Sequence, residues 1–279
     1  MQDIPRGTAP AATGTEADLI LEAMPEPGVA EIVLNRPAAR NGLTLATLEA
    51  LDRAFTRASA NPDVKAVVLA ANGPAFSAGH DLKEITTHRD DPDGGRAFYA
   101  HAMAACARLM QGIMACPKPV IAAVQGTATA AGCQLVATCD LAVAAEDARF
   151  CTPGVNIGLF CSTPMVALTR NVPRKRAMEM LLLGDMIDAR QAADWGLVNR
   201  VVPQSMVREA ALSLARQIAS KSPLTVAIGK RTFYDQLERP VAEAYDLAAR
   251  VMVENLLARD AAEGIAAFVE KRAPEWKGC

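Results

Sequence analysis

Two short segments of this chain place small residues where a strand-like run gives way to a helix-like one. The first is Gln125-Gly126-Thr127 with Ala128 to Gly132, after the apolar run 119–124. The second is Ser77-Ala78-Gly79 in GPAFSAGHDLKEI, after the apolar run 64–71. Small side chains let another group approach the backbone closely. A helix N-terminus at such a turn points unpaired amides outward and favours negative charge. Each turn therefore suits an oxygen that becomes negative during a reaction. Each also suits tight helix packing and nothing more, and one turn alone does not separate the two readings. Two strand ends with close-approach turns supply two sources of inward-pointing amides, a stronger signal than either alone.

The elements that must position these turns read as alternating strands and helices. Strands are expected at 19–22 and 28–34 around Pro25-Glu26-Pro27, then at 64–71, 119–124 and 141–145. Thr44 is an N-cap for a helix to about residue 60, with Leu45, Leu48, Leu51 and Phe55 at helical spacing. A second long helix covers 96–114. Strand, helix, strand without hairpin turns predicts parallel crossover units with helices on the sheet faces. The charged segment 88–95 predicts a mobile surface stretch. Gly184 and Gly196 sit where helix C-terminal glycines belong, Asp188 caps a helix over 189–195, and 197–202 is a short strand. Everything after Pro203 reads helical, at about 204–220, 223–237, 241–258 and 261–271. The organisation expected is a flexible leader (1–18), an α/β core (19–203) and a helical C-terminal region (204–279).

A chain of 279 residues, 51% apolar and 22% charged, suits one large globular unit. Net charge is −2 with scattered Lys and Arg, which gives no nucleic-acid footprint. The densest basic spot, Arg174-Lys175-Arg176, reads as a solvated helix start. Seven cysteines without CxxC or Cys/His ligand spacing read as buried thiols in a reducing compartment, and no metal is expected. No apolar run reaches the length of a membrane span and no signal core opens the chain, so a cytoplasmic protein is expected.

The pieces LNRPAARNGL (34–43), AFSAGHDLKE (75–84), VQGTATAAGCQLVATCDLAVAAEDARF (124–150) and ARQAADWGLVNRVVP (189–203) resemble the crotonase (enoyl-CoA hydratase/isomerase) superfamily, in order and at matching spacing. The resemblance covers nearly all of the chain from residue 19. It implies an α/β crotonase (ClpP/crotonase-like) spiral of ββα units with a C-terminal helical trimerisation region, forming a homotrimer or a dimer of trimers. It implies a small-molecule acyl-CoA as substrate, coenzyme A being part of that thioester rather than a permanently bound cofactor. No nucleic-acid or membrane partner is implied. Carried over by position, the oxyanion hole falls on the backbone amides of His80 and Ala131, which would hold the thioester oxygen and stabilise an enolate. The His80 imidazole is then a pocket wall or a proton carrier. The loop from Ala78 through Asp81, Leu82 and Lys83 would wrap the adenine, with Arg36, Arg40 and Lys83 near the phosphates. Pro153 and Leu159 belong to the same substrate-binding set. Phe268, Lys271 and Arg272 would close the site from a neighbouring subunit.

The sequence departs from the family pattern where hydratases carry two glutamates. Those positions are Gln134 and Gly154 here. An amide cannot take a proton from water near neutral pH, and glycine can neither bind nor deprotonate it. General acid-base groups contribute roughly 10²–10⁴ each, so hydration is expected to be very weak. Restoring both carboxylates is expected to raise it by orders of magnitude. Ser162 falls where some relatives carry an aspartate, after Cys161, but neither has an evident activating partner. His88, His101 and Asn156 are further polar candidates around the acyl pocket. The leading reading is an acyl-CoA enzyme with altered chemistry; the alternative is a non-catalytic CoA-thioester binder or assembly subunit. A serine-peptidase-like reading would need a Ser-His-acid set, and the central helix offers only Cys133.

Overall fold

The computed structural model describes residues 19–279, and the expected leader lies outside the described residues. Among the described residues ten strands run in the order β1 (Ile20–Glu26), β2 (Val29–Leu34), β3 (Ala66–Ala71), β4 (Ala75–Ser77), β5 (Val120–Val124), β6 (Thr127–Thr129), β7 (Leu141–Ala145), β8 (Arg149–Cys151), β9 (Ile187–Asp188) and β10 (Arg200–Val202). They form a six-stranded sheet, β1-β2-β3-β5-β7-β10, and a four-stranded sheet, β4-β6-β8-β9. The large sheet is parallel apart from the β1–β2 hairpin. β4, β6 and β8 are mutually parallel.

Each spiral turn gives one strand to each sheet. The chain leaves β3, β5 and β7 and enters β4, β6 and β8 after two or three residues. Gly126 makes one corner possible, since a β-carbon there would lie 2.3 Å from the Pro74 carbonyl oxygen. Register pairs Ser77 with Ala128 and Thr129 with Cys151. Parallel strands send their carboxyl ends to one edge, so the segments beginning at Ala78, Ala130 and Thr152 leave the small sheet together.

The helices are α1 (Leu45–Ala60), α2 (Leu82–Thr87), α3 (Arg96–Ala115), α4 (Ala131–Thr138), α5 (Ser162–Leu168), α6 (Arg174–Leu183), α7 (Ala189–Asp194), α8 (Val207–Ala219), α9 (Pro223–Leu237), α10 (Val241–Leu257) and α11 (Arg259–Glu270). Thr44 caps α1 by accepting from the Thr47 amide, and Leu48, Leu51 and Phe55 are its buried stripe. Asp188 and Gln191 form a capping box on α7. Gly184 and Gly196 take left-handed φ of 68° and 87° at helix ends, as expected. α4 is buried on every side, which fits its mostly small or apolar residues, Gln134 and Thr138 being the polar ones. Each buried Leu, Ile or Phe of this core contributes about 1.5–3 kcal/mol relative to exposure.

Three details differ from the sequence reading. β1 runs through Pro25 and turns at Pro27-Gly28, because an edge strand with a register shift after Ala23 tolerates a residue without an N–H. α8 packs against β2, β3, β5 and β7, so sheet coverage continues past Pro203. The 88–95 segment carries a 3-10 turn, with His88 stacked 3.6 Å from Phe98 and bonded to Asp91 at 2.8 Å.

α9 is tied to the core by charge. The buried Lys230 ammonium donates to the Ile113 and Lys118 carbonyls and to Asp140 Oδ2 at 2.7 Å. Tyr234 donates to Asp140 Oδ1, and Asp140 also accepts from the Val120 amide. Beyond this anchor, α9 to α11 leave Phe233, Tyr245, Met252, Leu257 and Phe268 exposed. No helix among the described residues is long and apolar enough to cross a membrane.

Candidate active site

The two small-residue turns meet. Ser77, fully buried, donates through Oγ to the Asn41 carbonyl and accepts from the Gly79 amide. Gly79 has φ of 82°, and a β-carbon there would lie 2.9 Å from the Ala130 β-carbon and 3.1 Å from the Ala131 nitrogen. A β-carbon on Gly132 would lie 2.3 Å from the Ser77 carbonyl oxygen. The end of β4 thus lies against the first residues of α4 with no room for side chains between them. Ala130, at φ 50° and ψ −118°, holds a backbone conformation that favours glycine. Its amide donates to the Cys151 carbonyl, so all three strand ends are locked together.

This packing fixes two amides. Leu43 donates to the Gly79 carbonyl at 2.8 Å, and Asp81 donates to the Leu43 carbonyl at 3.1 Å. Those bonds flank His80 in a parallel bridge, so the His80 N–H faces away from Leu43. Neither the His80 nor the Ala131 N–H takes a main-chain or side-chain acceptor among the described residues. Ala131 is the first residue of α4, where the helix leaves its N–H unpaired and electropositive.

The His80 imidazole is mostly enclosed, and its Nε2 is buried without a hydrogen-bond partner among the described residues. Burial pushes its pKa below the ordinary imidazole value, and a hydrogen bond to the Leu43 main chain opposes that shift.

Gln134 is buried on α4, with Cys106 Sγ 3.8 Å from its Oε1. Thr152 is buried and its Oγ1 has no hydrogen-bond partner among the described residues. Gly154 lies in the 3-10 turn Pro153–Ile157 and is buried, its carbonyl accepting from the Leu159 amide at 2.9 Å. Cys133, Cys151 and Cys161 are buried free thiols near this turn. Burial pushes all three upward, Cys151 to about 11, so none is a thiolate at neutral pH.

Of the cations expected near a nucleotide, Arg36 is turned inward. Its Nη1 donates to the Gly42 carbonyl at 2.6 Å and its Nη2 reaches Asp81 Oδ2 at 3.3 Å. It therefore organises the 36–43 loop, while Arg40 and Lys83 face solvent. Asp81 caps α2 through the Lys83 and Glu84 amides, and Leu82 is half exposed beside it. Ala78 is exposed at the loop's start, its amide on the Arg40 carbonyl.

Other candidates are not brought to this point by the chain itself. Ser162 is exposed, with Oγ donating to the Phe160 carbonyl and bonded to no basic side chain among the described residues. His101 lies 3.7 Å from Glu49 on α1. Asn156 is exposed, as are Leu159, Phe268 and Lys271, whereas Pro153 is partly covered. Asn41 was not singled out from the sequence, yet it is a buried hub. Its Nδ2 donates to the Asn72 and Ala75 carbonyls and its Oδ1 accepts from the Arg36 amide. An asparagine before glycine, Asn41-Gly42, is the signal that could have marked it, and it takes φ of 52°.

The enoyl-CoA hydratase/isomerase family profile matches residues 25–279. The chain belongs to this family. A rat (Rattus norvegicus) relative named enoyl-CoA hydratase domain-containing protein 3, mitochondrial, is 48% identical over 249 residues, covering 89% of this chain and 81% of the relative. The crystal structure of human enoyl-CoA hydratase domain-containing protein 3 superposes with a TM-score of 0.88 at 46% identity, covering 92% of this chain and all of that one. An enoyl-CoA hydratase crystal structure from Mycobacterium smegmatis gives 0.88 at 49% identity, covering 92% and 98%. The enoyl-CoA hydratase/isomerase resemblance read from the four motifs therefore holds, as does the crotonase fold. The cytoplasmic expectation does not stand, because the rat, human and mouse relatives are named as mitochondrial.

Proposed function

We propose that this protein binds acyl-CoA thioesters and holds the thioester oxygen between the amides of His80 and Ala131, stabilising an enolate at the neighbouring carbon. One observation carries this reading: two amides on separate, mutually packed turns are left without acceptors in a tightly packed region. Preorganised donors of this kind are each worth roughly 10²–10³ in rate. Coenzyme A enters with the substrate, its phosphates near Arg40 and Lys83 and its adenine along residues 78–83. Standard hydration is weak, since Gln134 and Gly154 supply no carboxylate. The exposed apolar residues of α9 to α11 support assembly into a homotrimer or a dimer of trimers, in which Phe268 and Lys271 would reach a neighbour's site.

A second reading is a CoA-thioester binder without turnover, favoured by the closed turn at Gly154. Calorimetry with coenzyme A and butanoyl-CoA, alongside turnover of enoyl, dienoyl and 3-hydroxyacyl thioesters, separates the two. Binding with turnover of any of these supports the enzyme. Binding without turnover of any supports the binder, and absence of thioester binding removes both.

A further inference from the structure

We propose that His80 is the general base of this site, its Nε2 taking the α-proton of a thioester whose oxygen rests on the His80 amide. This inference rests on the thioester-binding reading. Two geometric observations lead to it. First, Nε2 is buried with no hydrogen-bond partner among the described residues, so the residue whose amide belongs to the pair also carries an unsatisfied ring nitrogen. A base at Nε2 requires the proton on Nδ1, the tautomer that an acceptor on the Leu43 main chain favours. Second, amide and imidazole belong to one residue. The ring cannot leave the neighbourhood of its own N–H, and the α-carbon is bonded to the carbonyl carbon whose oxygen that N–H would hold.

The other groups nearby do not compete. Gln134 and Gly154 have no basic atom. Burial keeps the Cys133, Cys151 and Cys161 thiols protonated. The charged groups next to His80 on α2 and the 36–43 loop are engaged: Asp81 with Arg36 and the α2 amides, and Glu84 with the Leu45 amide at 3.0 Å. Lys83 faces solvent. Burial favours the neutral imidazole, which is the form a base requires.

In the step itself the α C–H bond breaks and its proton moves to Nε2. The C–H electron pair becomes the enolate double bond as the carbonyl π pair moves onto the oxygen held by the two amides. The imidazolium then returns a proton to the same carbon, so no oxidant, reductant or water is consumed.

The test is deuterium exchange at the α-carbon of butanoyl-CoA in D₂O, followed by proton NMR, with calorimetry on the same samples. Wild-type protein is expected to exchange well above buffer, with a rate rising through one ionisation below the ordinary imidazole value of about 6.5. His80→Gln is expected to lose roughly 10²–10⁴ of that rate while keeping thioester affinity, since its backbone amide remains. His80→Asn serves if the Gln variant does not fold. Added imidazole is expected to restore part of the exchange to His80→Ala, which a purely structural role would not do. Wild-type binding without exchange, or a folded variant exchanging at the wild-type rate, overturns the base and leaves thioester binding intact. A wild-type rate with no such ionisation overturns it without recourse to a variant. Absence of binding removes the underlying reading as well.

Discussion

Gly154 and Cys161 compete for one space. A β-carbon on Gly154 would sit 3.0 Å from Cys161 Sγ and 2.9 Å from the Leu159 carbonyl oxygen. Position 154, which the family resemblance matches to the hydratases' second glutamate, is therefore closed, not merely empty. This changes the expectation that restoring both carboxylates revives hydration. Gln134→Glu and the Gln134→Glu/Gly154→Glu double variant are expected to hydrate crotonyl-CoA within a few-fold of each other, with the double variant less stable. Gly154→Ala alone is expected to cost about 1–3 kcal/mol through overpacking. Adding Cys161→Ala should recover part of that loss in a double-mutant cycle. Faster hydration by orders of magnitude in the double variant would show that the 154–161 turn opens readily.

Ala130 stores strain at the contact between the two turns. A non-glycine residue at φ 50° and ψ −118° costs about 1–3 kcal/mol, more than the roughly 0.4–1 kcal/mol that glycine loses through unfolded-chain entropy. Ala130→Gly is therefore expected to raise the melting temperature, and Ala130→Val to lower it. Calorimetric scans of the two variants check the sign. A lower melting temperature for Ala130→Gly would mean that the alanine methyl contributes more through packing than its backbone loses.

Arg36 and the solvent-facing cations should separate cleanly. Arg36→Ala leaves Asp81 and the Gly42 carbonyl short of a donor in a mostly enclosed place, at a cost of about 1–3 kcal/mol. Arg40→Ala and Lys83→Ala should barely move stability. If they meet the coenzyme A phosphates, they should weaken its binding and flatten its salt dependence. Urea unfolding and calorimetry at two salt concentrations distinguish these effects. Equal stability losses at all three positions would contradict the assignment of Arg36 to the loop.

The alternation of strands, helices and close-approach turns was legible because its signals are local, whereas the spiral was implied by the family resemblance. Val-rich runs such as Ala66–Ala71 and small-residue turns such as Ser77-Ala78-Gly79 read directly as strands and corners. The Thr44 and Asp188 caps were readable for the same reason, since each bonds within its own first turn. What the sequence hid depends on distant partners. The Lys230–Asp140–Tyr234 anchor joins residues 90 and 94 positions apart, and no spacing rule announces it. The inward turn of Arg36 depends on Asp81, 45 residues away. The closure at Gly154 depends on the 154–161 turn folding back on itself, which composition does not show.

His80 also links stability to pH. Burial lowers its folded pKa from an unfolded value near 6.5. Between those two values the unfolded chain binds more protons than the folded one, so stability rises with pH across that window. The contribution is complete above about pH 6.5 and is lost as pH falls through the folded value, with no further loss below it. Glu84 shifts oppositely, its carboxyl pushed up mainly by burial, but it titrates in wild type and variant alike. Urea midpoints for wild type and His80→Gln at about pH 5 and pH 7.5 isolate the imidazole. The wild type is expected to lose more stability on acidification than the variant. Parallel pH dependences would mean that the ring meets solvent as freely when folded as when unfolded, and the buried lone pair on Nε2 would go with it.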